Sequence, residues 1–406
     1  MNRRSILKSV ALLPFGAATR DMSFANETKS SMTIDGIEVF QVRANQRPKV
    51  LNSKNWVIVR LKTDRGVTGI GEASQGGDDA LTLTYLKKFF TMLRGHSIFD
   101  IEWFRNATAN DILQAGDPAA VAASSLEQCL WDIRGKVFSV PTYEFFGGSI
   151  HASLRQYGNI NRSTADRSPE GFARMAEKAV AAGMTAIKLA PFDEIPLTLR
   201  DPVAVEEYVK VGIARAAAVR QAIGPKIDLM VDVHSRVDLE RGLDLVKRLE
   251  FLDLFWIEEV TPATPLQNLA TIKRKAKMPT AGGESLRGTT GFYPYIKADA
   301  AGIIMPDVKV SGGMLEMKMI TAIVEGAGLI VSPHGPASPV GNVTAGQVMA
   351  TASNFNILEL SYGENPWRAE LISPAEDISH GDLRLSNRSG HGILLNEKTA
   401  AKYAAA

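Results

Sequence analysis

A single cysteine, Cys129, in 406 residues leaves no partner for a disulfide within the chain. It lies in the helical pattern SLEQCLWDIRGK, which predicts a buried structural thiol and not a nucleophile. Charge of one sign is also lacking: 46 lysines and arginines against 44 acidic residues leave +2, so the chain carries no nucleic-acid signature. Nor is there an apolar run near the ~20 residues that a bilayer crossing needs, which excludes a stable membrane anchor. What is present, 45% hydrophobic and 22% charged residues, is an ordinary globular composition with material for a large core. The length suits two or three domains, or an α/β barrel of ~250 residues with a smaller unit beside it.

The first residues differ from the rest. MNRRSILKSV places Arg3 and Arg4 ahead of a short apolar stretch, ALLPFGAA, and Ser23-Phe24-Ala25 offers a small-x-small cleavage site. The order resembles a twin-arginine export signal, with Ile6 where that motif usually has Phe. Residues 1–31 are therefore expected to be a signal peptide and linker, and the mature protein to be periplasmic or exported. A leader that does not function would leave it cytoplasmic.

Beyond the leader, Ile37 to Arg43 and Trp56 to Lys62 are strand-like, with a turn signal at Thr63-Asp64-Arg65-Gly66. Asp78 to Lys136 has helical spacing and ends before Pro141 and Gly147-Gly148. An α+β capping unit is thus expected over 32–150. From there eight short apolar strands alternate with helices: LRQYGNI, TAIKLA, IDLMVDV, LFWIEE, PTAGGE, AGIIMPD, LIVSPH and NILELS. Eight βα units point to a (β/α)₈ barrel over 151–375, with 376–406 returning to the cap; a doubly wound open sheet is the alternative.

Polar residues end those strands: Asn159 and Asn161, Lys188, Asp232 with His234, Glu258, Glu284, Asp307, His334 and Glu359. In barrel enzymes these ends converge to build the active site. Asp232, Glu258 and Glu284 are separated by equal intervals, which predicts equivalent barrel positions. Three converging carboxylates repel unless a cation neutralises them, and an all-oxygen set favours Mg²⁺, or Mn²⁺, over zinc. Glu258 is preferred to its neighbour Glu259 because it shares strand parity with Trp256. Asp307 and His334 end adjacent strands, and a carboxylate beside an imidazole is what a general base needs. His96, His151, His380 and His391 are expected to be surface or loop residues.

Taken in order, LWDIRGK, FFGG, VDVH, WIEE, GGES, MPDVKVSGG and SPHG resemble the mandelate racemase-like branch of the enolase superfamily, from about Ile34 to Leu395. The resemblance implies that Asp232, Glu258 and Glu284 ligate Mg²⁺, that Asp307 and His334 form the catalytic dyad, and that Glu359 hydrogen-bonds an enolate. Relatives of this architecture are commonly oligomers, so a homo-oligomer is expected. Two departures matter. Where the racemases of this branch carry Lys-x-Lys, this chain has Lys188-Leu189-Ala190, which argues against simple racemisation and leaves Lys188 to neutralise a substrate carboxylate. The run Asp232-Val233-His234-Ser235-Arg236 resembles sugar-acid dehydratases, in which such a histidine protonates the departing hydroxyl.

The expected reaction is Mg²⁺-dependent dehydration of an aldonate or aldarate to a 2-keto-3-deoxy acid. A cycloisomerase or epimerase using the same enolate is the rival, and a non-catalytic solute-binding protein a remote one. Asn161, Arg162, Arg236, Trp367 and Arg368 are candidates for binding the rest of a small carboxylate substrate, along with cap loops at Arg47–Lys54 and Ser74–Asp79.

Overall fold

The computed structural model describes residues 32–44, 55–74, 77–199 and 201–405. The expected leader, the 47–54 loop, and Gln75 and Gly76 lie outside the described residues.

The cap begins with an antiparallel meander of β1 (Ile34–Val42), β2 (Trp56–Thr63) and β3 (Thr68–Glu72), in the order β1-β2-β3. Thr63 closes the predicted turn by donating its N–H to Val67 O at 2.9 Å. Helices α1 (Asp79–Leu93), α2 (Ile101–Ala115) and α3 (Asp117–Phe138) follow. Asp78 caps α1 by accepting from Leu81 N, and Pro118 sits in the first turn of α3, where its missing N–H costs nothing. The sheet lies directly on α3. A Cβ at Gly69 would fall 2.1 Å from Cys129 O and one at Gly71 2.2 Å from Ser125 O, so only glycine permits this approach. Cys129 is fully buried, and burial pushes its thiol up, as a structural role requires.

Eight parallel strands then form the barrel: β4 (Leu154–Asn159), β5 (Ala186–Leu189), β6 (Asp228–Asp232), β7 (Trp256–Glu258), β8 (Thr280–Gly282), β9 (Ile303–Ile304), β10 (Ile330–Val331) and β11 (Leu358–Ser361). Each pairs in parallel with the next from β4 to β10; β11 pairs with β4, and a parallel bridge from Val331 to Phe355 closes the ring. Strand alternation sends Tyr157, Ala186, Met230, Trp256, Ala281, Ile303 and Ile357 inward, where they form one apolar cluster. That cluster is the floor of the site. Between the strands run α4 (Pro169–Ala181), α5 (Pro202–Ile223), α6 (Leu239–Arg248), α7 (Leu266–Lys275), α8 (Gly288–Lys297), α9 (Met314–Gly326) and α10 (Pro339–Met349).

The chain's end first joins the barrel and then the cap. Past β12 (Ile372–Ser373), the hairpin β13 (Asp377–Ser379) and β14 (Asp382–Arg384) adds antiparallel to the start of β4. Past β15 (Leu394–Leu395) and α11 (Glu397–Lys402), Ala405 N donates to Gln41 O in β1 at 2.9 Å. His391 lies in a turn, as a loop residue would, but not at the surface: it is fully buried, its Nδ1 3.1 Å from Thr142 Oγ1 and its Nε2 3.1 Å from Gln128 O. Burial lowers its pKa, so it packs there as a neutral ring.

Two buried cap carboxylates bolt the cap onto barrel helices. Glu127 of α3 accepts from Met314 N and Leu315 N at the start of α9, and Glu72 of β3 accepts from Ser338 N and Gly341 N at the start of α10. Both exploit the unpaired N–H groups and positive dipole end of a helix N-terminus. Among the described residues, no helix is long and apolar enough to cross a membrane.

Candidate active site

Asp232 and Glu258 are direct partners in the β6–β7 register, so both point into the C-terminal mouth of the barrel above the apolar floor. The indole of Trp256 donates from Nε1 to Glu258 Oε2 at 3.0 Å, which fixes Glu258 rather than Glu259 on the inward face. Ligand oxygens of Asp232, Glu258 and Glu284 lie within 4.8 Å of one another. The equal sequence intervals do not, however, mean equal register. Glu258 pairs with Ala281, whereas Glu284 lies two residues past the end of β8 and reaches the trio through a turn at Gly283, whose φ is +104°.

The charges here are concentrated. Burial, then the neighbouring Asp232 carboxylate, push Glu258 up to about 8, although Lys188 opposes this. Lys188 is itself buried at the end of β5, with Nζ 3.0 Å and 3.1 Å from the two Glu258 oxygens, 3.6 Å from Asp232 Oδ2 and 3.5 Å from Glu359 Oε1. Burial alone would lower its pKa, yet these carboxylates hold it well above the ordinary lysine value. Glu359, inward on β11, accepts from Asn159 Nδ2 at 2.6 Å and from Gly335 N at 2.9 Å. Burial raises its pKa, but Lys188 and His334 outweigh this and bring it down to about 2. Ala190, two residues past Lys188 and buried, leaves no second cation on this strand.

Two histidines stand on either side of the trio. His334 Nδ1 is 2.8 Å from Asp307 Oδ2 and its Nε2 is 3.3 Å from Glu284 Oε2. Burial lowers its pKa, but Glu284 and then the Asp307 hydrogen bond raise it to about 9. Asp307 is pinned by Lys309, which donates from its backbone N at 2.8 Å and from Nζ at 2.9 Å. His234 Nδ1 is 2.5 Å from Asp193 Oδ1 and its Nε2 is 2.9 Å from Asp232 Oδ2. Its φ of +47°, followed by +56° at Ser235, bends the chain so that the ring turns back over the trio.

Asp193 and Lys309 escaped the sequence expectations. Lys309 sits two residues after Asp307 in MPDVKVSGG, where parity could have flagged it; Asp193, in the loop after β5, carries no such signal.

The predicted substrate contacts divide. Asn161 is buried behind the histidine, donating to Asp193 Oδ2 at 2.8 Å and accepting from Arg167 Nη1 at 2.7 Å. Arg236 donates to Ile195 O at 3.1 Å and lies 4.0 Å from Asp193 Oδ1. Arg162 is at the mouth, 3.5 Å from Glu364 Oε1. Arg368 and Trp367 are structural instead. The Arg368 guanidinium makes a bidentate pair with Glu376 at 2.8 Å and 2.9 Å and donates to Ala337 O at 2.6 Å, so all three of its nitrogens are engaged within the protein. Trp367 is buried, stacked on Tyr403 at 4.2 Å and edge-on to Trp56 at 5.4 Å.

The trio suits a hard divalent cation. All its donors are carboxylate oxygens, burial and the neighbouring carboxylates raise Glu258 despite the Lys188 contact, and Glu284 Oε2 is buried without accepting a hydrogen bond. Among the described residues no other group of three ligating side chains comes together in this way.

Most of the chain has counterparts of known kind. Residues 36–147 match the N-terminal domain of mandelate racemase and muconate lactonizing enzyme, and residues 171–399 match the enolase C-terminal domain-like family. The chain is 27% identical over 384 residues to the D-xylonate dehydratase of Haloferax volcanii, covering 90% of this chain and 91% of that one. It is 28% identical over 381 residues to the D-gluconate/D-galactonate dehydratase of Picrophilus torridus, covering 91% and 94%. The solved mandelate racemase/muconate lactonizing enzyme of Jannaschia sp. CCS1 superposes with a TM-score of 0.82 at 26% identity, covering 92% of this chain and 98% of that one.

Proposed function

We propose, for a chain that belongs to the mandelate racemase/muconate lactonizing enzyme family of the enolase superfamily, the Mg²⁺-dependent dehydration of a sugar acid to a 2-keto-3-deoxy acid. The observation that carries this is the pair of histidine–carboxylate couples, each with Nε2 facing the acid trio from its own side. Sugar-acid dehydratases among the relatives support the substrate class. The lyase reaction needs one base and one acid, and the two histidines supply one of each.

Asp232, Glu258 and Glu284 would hold the cation, whose charge lowers the cost of the second negative charge that develops on the substrate carboxylate. A cation held there would also offset the Glu284 charge that raises His334; His334 Nε2 is the atom that accepts the α-proton, while Asp307 and Lys309 keep the ring oriented. Lys188, which a cation on Glu258 would free, pairs with the substrate carboxylate. Glu359 stabilises the enolate by donating a hydrogen bond, which requires it to take up a proton as Lys188 leaves it. His234, charged between Asp193 and Asp232, gives its Nε2 proton to the β-hydroxyl, which departs as water. The resulting enol tautomerises to the 2-keto acid.

A panel of aldonic and aldaric acids assayed for 2-keto product, with Mg²⁺ and again with EDTA, tests this. Product formation from at least one member that EDTA abolishes is expected; binding without product, or product indifferent to EDTA, would overturn it. We also propose export by residues 1–31 and a homo-oligomeric assembly. The mass of protein recovered from periplasm, and light scattering, test these two.

A further inference from the structure

Among the described residues, two carboxylate oxygens are buried yet accept no hydrogen bond: Glu284 Oε2 and Glu364 Oε2. A buried acceptor left unpaired is costly, and folded proteins retain few of them without a reason. For Glu284, the proposed cation and His334 Nε2, 3.3 Å from that oxygen, would account for it. Nothing described so far accounts for Glu364, whose side chain is only 3% exposed.

Glu364 lies three residues past the end of β11, and Arg162 three past the end of β4. Because β11 and β4 are paired neighbours, the two loops meet at the C-terminal mouth of the barrel, on the wall that carries Glu359 and Asn159. Arg162 Nη1 approaches Glu364 Oε1 to 3.5 Å without making a hydrogen bond. This sets Arg162 apart from the other arginines around the site. Arg167 donates to Asn161, Ala190 and Glu194, Arg236 to Ile195, and Arg368 to Glu376 and Ala337. Arg162, with its side chain 24% exposed, spends no donor on a hydrogen bond within the described residues. An acceptor without a donor therefore stands beside a donor without an acceptor.

We propose that Arg162 and Glu364 together bind a hydroxyl group at the end of the substrate remote from the reacting carboxylate, and that Glu364 excludes a second carboxylate there. The proposal rests on the site taking a sugar acid and deepens that proposal by separating aldonates from aldarates. A hydroxyl is the group that satisfies both partners at once, accepting from the guanidinium while donating to the carboxylate. A carboxylate has no proton to give Glu364 and meets its charge at close range; an ammonium has no lone pair for Arg162. The ligand class is thus a monoacid with a neutral polyol tail.

Binding, not turnover, is the appropriate measurement, because it survives even if the dehydration chemistry has been misassigned. The full chain carrying H334N, loaded with Mg²⁺ so that ligand is not consumed, is titrated calorimetrically with D-gluconate and D-glucarate, and with D-galactonate and galactarate. E364Q and R162M are added to the same background, and melting temperature and Mg²⁺ affinity are recorded for each. E364Q keeps the side-chain volume and removes a buried charge that makes no hydrogen bond to Arg162, so it is expected to fold. The parent should bind at least one monoacid about ten-fold or more tighter than its diacid, E364Q should bring the two within about three-fold, and R162M should weaken the monoacid about ten-fold. Equal or tighter diacid binding by the parent, a preference that E364Q leaves intact, or failure of both series to bind would each overturn the proposal and leave Arg162–Glu364 a structural ion pair.

Discussion

The two histidines that flank the acid trio are held by different kinds of scaffold. His334 has a side chain only 12% exposed, and its carboxylate partner Asp307 is clamped by both the backbone and the side chain of Lys309. His234 has a side chain 33% exposed, lies in a left-handed stretch of backbone, and leans on Asp193, a residue of the long loop after β5. The difference matches two chemical demands. A base that removes a proton from carbon needs a fixed tautomer and a fixed direction, which burial and a doubly anchored carboxylate provide. An acid that expels water works at the edge, where the leaving molecule has an exit.

Perturbing the feature common to both sides should have the largest effect. Chelation with EDTA, or E258Q, is expected to abolish α-proton exchange and dehydration together, by about 10⁴-fold or more, as read by NMR exchange and 2-keto acid assays. H334N attacks only the buried side and should lower both rates by about 10³–10⁴-fold while Mg²⁺ affinity stays near that of the parent. On the exposed side, H234N should cut dehydration by about 10²–10³-fold but spare exchange, so the two steps come apart only there. K309M tests whether the clamp behind Asp307 matters. It should lower kcat about ten-fold with KM little changed, and K309R should recover part of the loss. A K309M enzyme indistinguishable from the parent would remove the contrast between the two scaffolds.

The buried side was the more legible in sequence, for a physical reason. Asp232 and Glu258 end strands of a regular βα repeat, and Asp307 and His334 each follow their strands by three residues, so spacing points to all four. Glu284 was found by an interval that coincides with its neighbour's although its register does not, because the turn at Gly283 restores the position that the count implied. Loops carry no such pattern. Asp193 and Glu364 stand where no periodicity applies, and their roles appear only when distant segments fold against them. Trp367 and Arg368 misled for the converse reason: an aromatic and an arginine near a strand end resemble ligand contacts, but Glu376 and Tyr403, from the C-terminal segment, claim them. The burial of His391, a turn residue, is illegible in the same way, since it depends on α3, more than 250 residues earlier in the chain.

The central claim is that proton abstraction and loss of water belong to different histidines. Incubating the Mg²⁺-loaded H234N and H334N variants with a sugar acid that the parent dehydrates, in D₂O, and following the α-position by NMR tests it directly. The account predicts α-deuterated substrate with almost no 2-keto acid from H234N, and neither deuterium nor product from H334N. Deuterium incorporation that survives in H334N and disappears in H234N, or full dehydration by H234N, would contradict it.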